Sequence, residues 1–178
     1  MQDDITDGVL WAIENGYADE DRVCIAGASY GGYATMAGLT FTPDLYRCGI
    51  NSVGVVNQQK LLENYTSKSS VFNSWEDEAK LEWGNLSSED GKKYAEETSP
   101  SLYVANIKAP VLVLQGTNDR IVPPEHAREL IRKLEKEGKT YMSMFQAHEG
   151  HGVKCYGELA TLEYFDIQEE FLEKYLEN

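Results

Sequence analysis

Five residues, Gly27-Ala28-Ser29-Tyr30-Gly31, constrain this chain more than any other stretch of it. They stand between the short apolar run Val23-Cys24-Ile25-Ala26 and the uncharged segment Tyr30 to Leu39. In that context G-x-S-x-G reads as a strand, a tight turn and a buried helix, with the serine held on a strained corner so that its Oγ projects above the strand end. The glycines flanking the serine let strand and helix backbones approach without a Cβ between them. A helix with no charged face is buried on several sides, which places it at the centre of a domain.

The rest of the chain supplies alternating strands and helices. Ile5, Val9, Leu10 and Ile13 follow helical spacing, with Asp3 or Asp4 to cap the start and Asn15-Gly16 to stop it. A second strand-like run spans Cys48 to Val56, and a third, Val111 to Leu114, is continuously apolar, as expected of a parallel strand covered on both faces. A fourth runs from about Thr140 to Phe145. Pro123-Pro124-Glu125 opens a helix that ends near Gly138, and a last helix turns Tyr156, Leu159, Leu162, Phe165, Phe171 and Tyr175 inward. This order implies a parallel α/β sheet. The polar stretch from about 57 to 109 breaks it and reads as a helical insertion, whose Phe72, Trp75 and Trp83 either cover the core or form a lid.

At 178 residues the chain is sized for one domain, residues 1–178. Its 16 basic against 30 acidic residues give a net charge of −14, which repels phosphate backbones and anionic membranes, so no nucleic acid and no membrane is expected as partner. No apolar run is long enough to span a bilayer. Cys24, Cys48 and Cys155 show no metal-ligand or framework spacing, and Cys24 and Cys48 read as small hydrophobes in strands. No metal or cofactor is called for, and a reducing, cytoplasmic setting is the default, which a signal upstream would change.

A serine on such a turn needs an imidazole to take its proton and a carboxylate to fix that imidazole's tautomer. Asp119 follows the third strand, on the rim where α/β sheets build their sites. The competing reading is that Asn118-Asp119 forms an Asx turn or caps the next helix. Of the three histidines, His126 falls inside that helix and reads as a surface residue. His148 and His151 both follow the fourth strand. His151, flanked by Gly150 and Gly152, is the better presented base, and His148 packs or bonds locally.

The residues Gly27-Ala28-Ser29-Tyr30-Gly31-Gly32-Tyr33-Ala34, Pro110 to Asp119 with Val122-Pro123, and Glu149-Gly150-His151-Gly152 resemble the catalytic domain of the prolyl oligopeptidase family, and the similarity covers essentially the whole chain. The S-Y-G-G-Y core is similar to the dipeptidyl-peptidase and acylaminoacyl-peptidase branches. The resemblance implies an α/β-hydrolase-like parallel sheet with flanking helices, missing its N-terminal strands, and a serine hydrolase that cleaves peptide or ester bonds through an acyl-enzyme. In it Ser29 is the nucleophile, Asp119 the orienting acid, His151 the general base and acid, and the Tyr30 N–H one oxyanion donor. The family's other oxyanion donor comes from a loop before this segment, and losing one donor lowers turnover by roughly 10²–10³.

The missing strands imply that the strand ending at Gly27 is an edge that invites another chain, so a homodimer or higher oligomer through that edge is expected. The alternative to an active hydrolase is a truncated, weakly active or inactive interaction module that needs a partner chain. Tyr30 and Tyr33 either line an apolar acyl pocket or pack in the core.

Overall fold

The computed structural model describes residues 2–67, 88–152 and 158–176. The chain opens with helix α1 (Gln2–Glu14), and Gly16 at φ 74° turns it toward the sheet. Strand β1 (Cys24–Ala28) runs into α2 (Tyr30–Phe41), which is followed by β2 (Cys48–Ser52), α3 (Gln58–Ser67) and α4 (Glu89–Glu97). Two short 3₁₀ turns, Pro100–Leu102 and Val104–Asn106, lead into β3 (Val111–Gly116); α5 (Glu125–Lys136), β4 (Tyr141–Gln146) and α6 (Glu158–Tyr175) complete the order. The expected insertion thus contains α3, α4 and the 3₁₀ turns, while Phe72, Trp75 and Trp83 lie outside the described residues.

The four strands form one parallel sheet in the order β1-β2-β3-β4, with Ile25 opposite Gly49, Gly49 opposite Val111, and Val111 opposite Tyr141. This is the expected parallel α/β sheet, with helices on both faces. The pleat sends Val111 and Val113 to one side, onto Met36 and Leu39 of α2 and Leu130 and Leu134 of α5. It sends Leu112 and Leu114 to the other, onto Tyr164 and Phe171 of α6. That double coverage is why β3 reads as an unbroken apolar run, and burying each such side chain stabilises the fold by about 1.5–3 kcal/mol. Every residue of β2 and β3 is buried, whereas β1 is only half-buried, with Ala26 and Ala28 exposed. Within the described residues β1 pairs with β2 alone.

Three expectations are corrected. The second run does not stay in the sheet to Val56: the strand ends at Ser52, and Val53 takes φ 45°, turning the chain off the ladder while Val55 and Val56 remain buried. Cys24 and Cys48 are register partners on β1 and β2 and are joined as a disulfide, rather than packing as separate thiols. On α6 the inward face carries Tyr164, Ile167, Phe171 and Tyr175, so Leu162 and Phe165, on the neighbouring side of the helix, are exposed. Tyr156 and the side chain of Leu159 lie outside the described residues.

Candidate active site

The corner between β1 and α2 is built from close backbone contact. A Cβ on Gly27 would fall against the Gly31 carbonyl and 2.8 Å from Gly31 Cα, so no larger residue fits there without displacing the helix start. On the far side of the same turn a Cβ on Gly32 would lie 2.6 Å from Gly54 Cα, which seats α2 directly on the chain leaving β2. Squeezed between these contacts, Ser29 adopts φ 58°, ψ −117°, a conformation that non-glycine residues rarely hold and that costs about 1–3 kcal/mol. Its N–H donates to the Ser52 carbonyl at 3.0 Å, pinning the corner to β2. The serine hydroxyl meets the His151 ring, and Tyr30 is the first residue of α2, so its N–H belongs to the positive end of the helix dipole.

Asp119 stands three residues beyond the end of β3, and His151 follows β4. His151 Nδ1 lies 2.8 Å from Asp119 Oδ2, and His151 Nε2 lies 2.8 Å from Ser29 Oγ. The Asp119 side chain is fully buried, whereas a fifth of the His151 side chain remains accessible. The carboxylate therefore acts on the ring in a low dielectric, while part of the imidazole remains accessible to solvent. With Nδ1 donating to Asp119, Nε2 of the neutral ring is left to accept from the serine hydroxyl.

The two readings of Asp119 turn out to be compatible. Its Oδ1 accepts from the N–H groups of Ile121 at 2.9 Å and Val122 at 3.0 Å, which is the turn, while Oδ2 faces the imidazole. The buried Gln115 amide donates to the same Oδ2 at 3.3 Å and to the Val122 carbonyl at 3.3 Å, tying strand, turn and carboxylate together. Sequence reasoning passed over Gln115, although a polar residue closing an apolar strand beside a candidate acid was a visible signal.

Two histidines lie apart from this line. His148 is exposed at φ 69°, and instead of bonding locally its backbone pairs with the side chains of Thr117 and Asn118 on the loop after β3. His126 is not a surface residue: it is fully buried, because 126, 130 and 134 form one inward row of α5 with Leu130 and Leu134. Burial, aided by nearby Lys60, pushes its pKa down to about 4 against the pull of Glu129, Glu125 and Asp119. The neutral ring accepts from Val56 N–H at 3.4 Å. Beside it, burial pushes the Glu129 carboxyl up, but hydrogen bonds from Lys60, Ser101, Asn57 and Lys133 outweigh that and hold it at about 2. Among the described residues no group of three or more His, Cys, Asp or Glu is placed to hold a metal ion.

Next to Ser29, Tyr33 packs on Val55, Leu61 and Val122, and its ring lies 5.6 Å from that of Tyr30. Burial first, then the neighbouring Tyr30 and Tyr94, push the Tyr33 phenol up to about 12, with a hydrogen bond from Gln58 opposing. It stays protonated and uncharged at any ordinary pH.

Comparison with known proteins places the chain among peptidases. The chain is 38% identical over 152 residues to dipeptidyl aminopeptidase BIII of Pseudoxanthomonas mexicana, covering 85% of this chain and 22% of that protein. It is 32% identical over 154 residues to dipeptidyl peptidase family member 6 of Caenorhabditis elegans, covering 86% of this chain and 20% of that protein. The chain thus spans about a fifth of the length of these relatives. Among solved structures, the uncomplexed acylaminoacyl peptidase of Pyrococcus horikoshii superposes with a TM-score of 0.80 at 26% identity, covering 98% of this chain and 28% of that one. The profile of the prolyl oligopeptidase family matches residues 1–178 from end to end, and the chain belongs to that family.

Proposed function

We propose that this chain carries the catalytic centre of a serine hydrolase that cleaves peptide or ester bonds. The observation that carries the reading is the unbroken line from Ser29 Oγ through the His151 ring to Asp119 Oδ2, with 2.8 Å at each step. Ser29 Oγ attacks the substrate carbonyl carbon as its proton passes to His151 Nε2, and the carbonyl oxygen becomes an oxyanion facing the Tyr30 N–H. Collapse of this tetrahedral species breaks the bond to the leaving amine or alcohol, which takes the proton from Nε2 and leaves Ser29 acylated. Water, deprotonated by the same nitrogen, then releases the acid and restores the serine. Asp119 keeps its charge throughout, holding the ring's orientation and stabilising the imidazolium.

Family membership and the names of the two relatives favour peptides, in particular release of short N-terminal pieces. The test is hydrolysis of dipeptidyl amides and of small activated esters by the parent and by Ser29→Ala. Turnover confined to the parent supports the reading, and equal turnover in both overturns it.

The half-buried β1 favours a second reading, in which this unit is weakly active or inactive alone and works as an interaction module with a partner chain along that edge. Ester hydrolysis by the isolated chain separates the two, since the second reading predicts little or none.

A further inference from the structure

The loops that deliver Asp119 and His151 are fastened to each other, and the fastening uses a side chain to which the reaction itself assigns no part. The β3–β4 ladder ends with Gly116 opposite Gln146. One residue on, Thr117 N–H still donates to the Gln146 carbonyl at 3.0 Å. Past that point a side chain joins the pairing: the Thr117 hydroxyl acts as acceptor, receiving the His148 N–H at 2.9 Å. Asn118 closes the far side: its N–H donates to the Glu149 carbonyl at 2.8 Å and its Nδ2 to the His148 carbonyl at 3.3 Å. Gly116 lets the loops come this close, since a Cβ there would lie 2.5 Å from the carbonyl oxygens of both Glu149 and Gly150.

What the clasp holds is a strained residue. His148 sits at φ 69°, a left-handed conformation that costs a side-chain-bearing residue about 1–2 kcal/mol. It is exposed rather than held in the core. Its N–H and its carbonyl are both gripped, by Thr117 Oγ1 and Asn118 Nδ2, and three residues later the chain delivers His151 to Asp119. The same two residues that hold the histidine loop immediately precede Asp119, so acid and base are positioned by one device rather than by two independent loops.

We infer that Thr117 is a positioning residue for the Asp119–His151 pair, its hydroxyl acting as a side-chain rung between the loops that leave β3 and β4 and holding His148 in the turn that aims the imidazole. The inference rests on His151 being the base proposed above. Thr117→Val keeps the shape and removes the acceptor; the released His148 N–H is exposed and finds water, so the fold survives. Thr117→Ser keeps the acceptor.

Two readouts on the full chain test this. One is the His151 Nδ1–H proton resonance, assigned by its loss in His151→Ala, and its exchange rate with solvent. The other is the rate at which a fluorophosphonate labels Ser29. The expected result is faster exchange or loss of the Nδ1–H signal in Thr117→Val, with labelling slowed roughly 10- to 100-fold, since a small misplacement of catalytic groups has effects of that size. Thr117→Ser is expected to behave like the parent in both. An Nδ1–H signal in Thr117→Val with the parent's exchange rate overturns the inference, as does a Thr117→Ser variant as impaired as Thr117→Val. If the signal responds as expected while Ser29 of the parent takes no label, the clasp stands and the hydrolase reading fails.

Discussion

Asp119 and His151 meet at 2.8 Å through Oδ2 and Nδ1, while the other oxygen of the same carboxylate closes the backbone turn at Ile121 and Val122. One buried side chain therefore carries both the catalytic task proposed for it and a structural one, and the two can be separated by substitution.

Asp119→Asn keeps an oxygen for the turn but no longer fixes the ring with Nε2 free to accept. Turnover is expected to fall by about 10⁴, the scale seen when a triad carboxylate becomes an amide, with stability close to the parent. Asp119→Ala loses the turn as well, and each lost bond to a charged acceptor is worth about 1.5–3 kcal/mol. Parallel ester assays and urea titrations check this. Equal unfolding midpoints for the two variants would contradict the split of tasks.

Gly27→Ala places a methyl group against Gly31, with its carbon 2.8 Å from Gly31 Cα. Backbone cannot yield as a side-chain tip can, so the corner must open, costing about 1–3 kcal/mol and moving Ser29 away from His151. Activity is expected to drop further than the melting temperature suggests. Gly8→Ala is the control, because a Cβ there meets nothing within 4 Å.

His126 makes stability depend on pH. Its folded pKa of about 4 lies below the ordinary 6.5, so between those values the unfolded chain binds the proton that the native chain refuses. Stability should therefore fall as pH drops from 6.5 to 4, by about 3 kcal/mol in full. Glu129, held at about 2 against the usual 4.5, adds its own loss mostly below that window. Urea midpoints of the parent should decline across it, and those of His126→Asn should flatten. The same slope in both would remove His126 as the cause.

We propose that the half-buried β1 edge drives self-association into a homodimer or higher oligomer. The strand Cys24–Ala28 carries no charge or proline, the usual guards of an edge, and Ala26 and Ala28 are exposed. Sedimentation at micromolar concentration is expected to show more than monomer, and Ala26→Lys to shift it toward monomer. A monodisperse monomer for the parent would count against the proposal.

The strand-turn-helix at Ser29 and the rims carrying Asp119 and His151 were legible because local pattern dictates them: an apolar run, paired glycines, and a carboxylate and an imidazole in the loops past strand ends. The disulfide was not, because Cys24 and Cys48 meet only through the register of β1 on β2. The burial of His126 was half legible: its place one turn before Leu130 lay in the sequence, but the groups around Glu129, from Asn57, Lys60, Ser101 and Lys133, come together only in the fold. The clasp at Thr117 was invisible for the same reason, since it joins two loops through a hydroxyl whose partner is set by where β4 ends.

The central claim is that Ser29 is activated by His151 within this chain. Incubating the parent, Ser29→Ala and His151→Ala with a fluorophosphonate and weighing the intact proteins tests it most directly. One adduct on the parent and none on either variant is the predicted result. A folded parent that takes no adduct, or a His151→Ala variant labelled as fast as the parent, would contradict it.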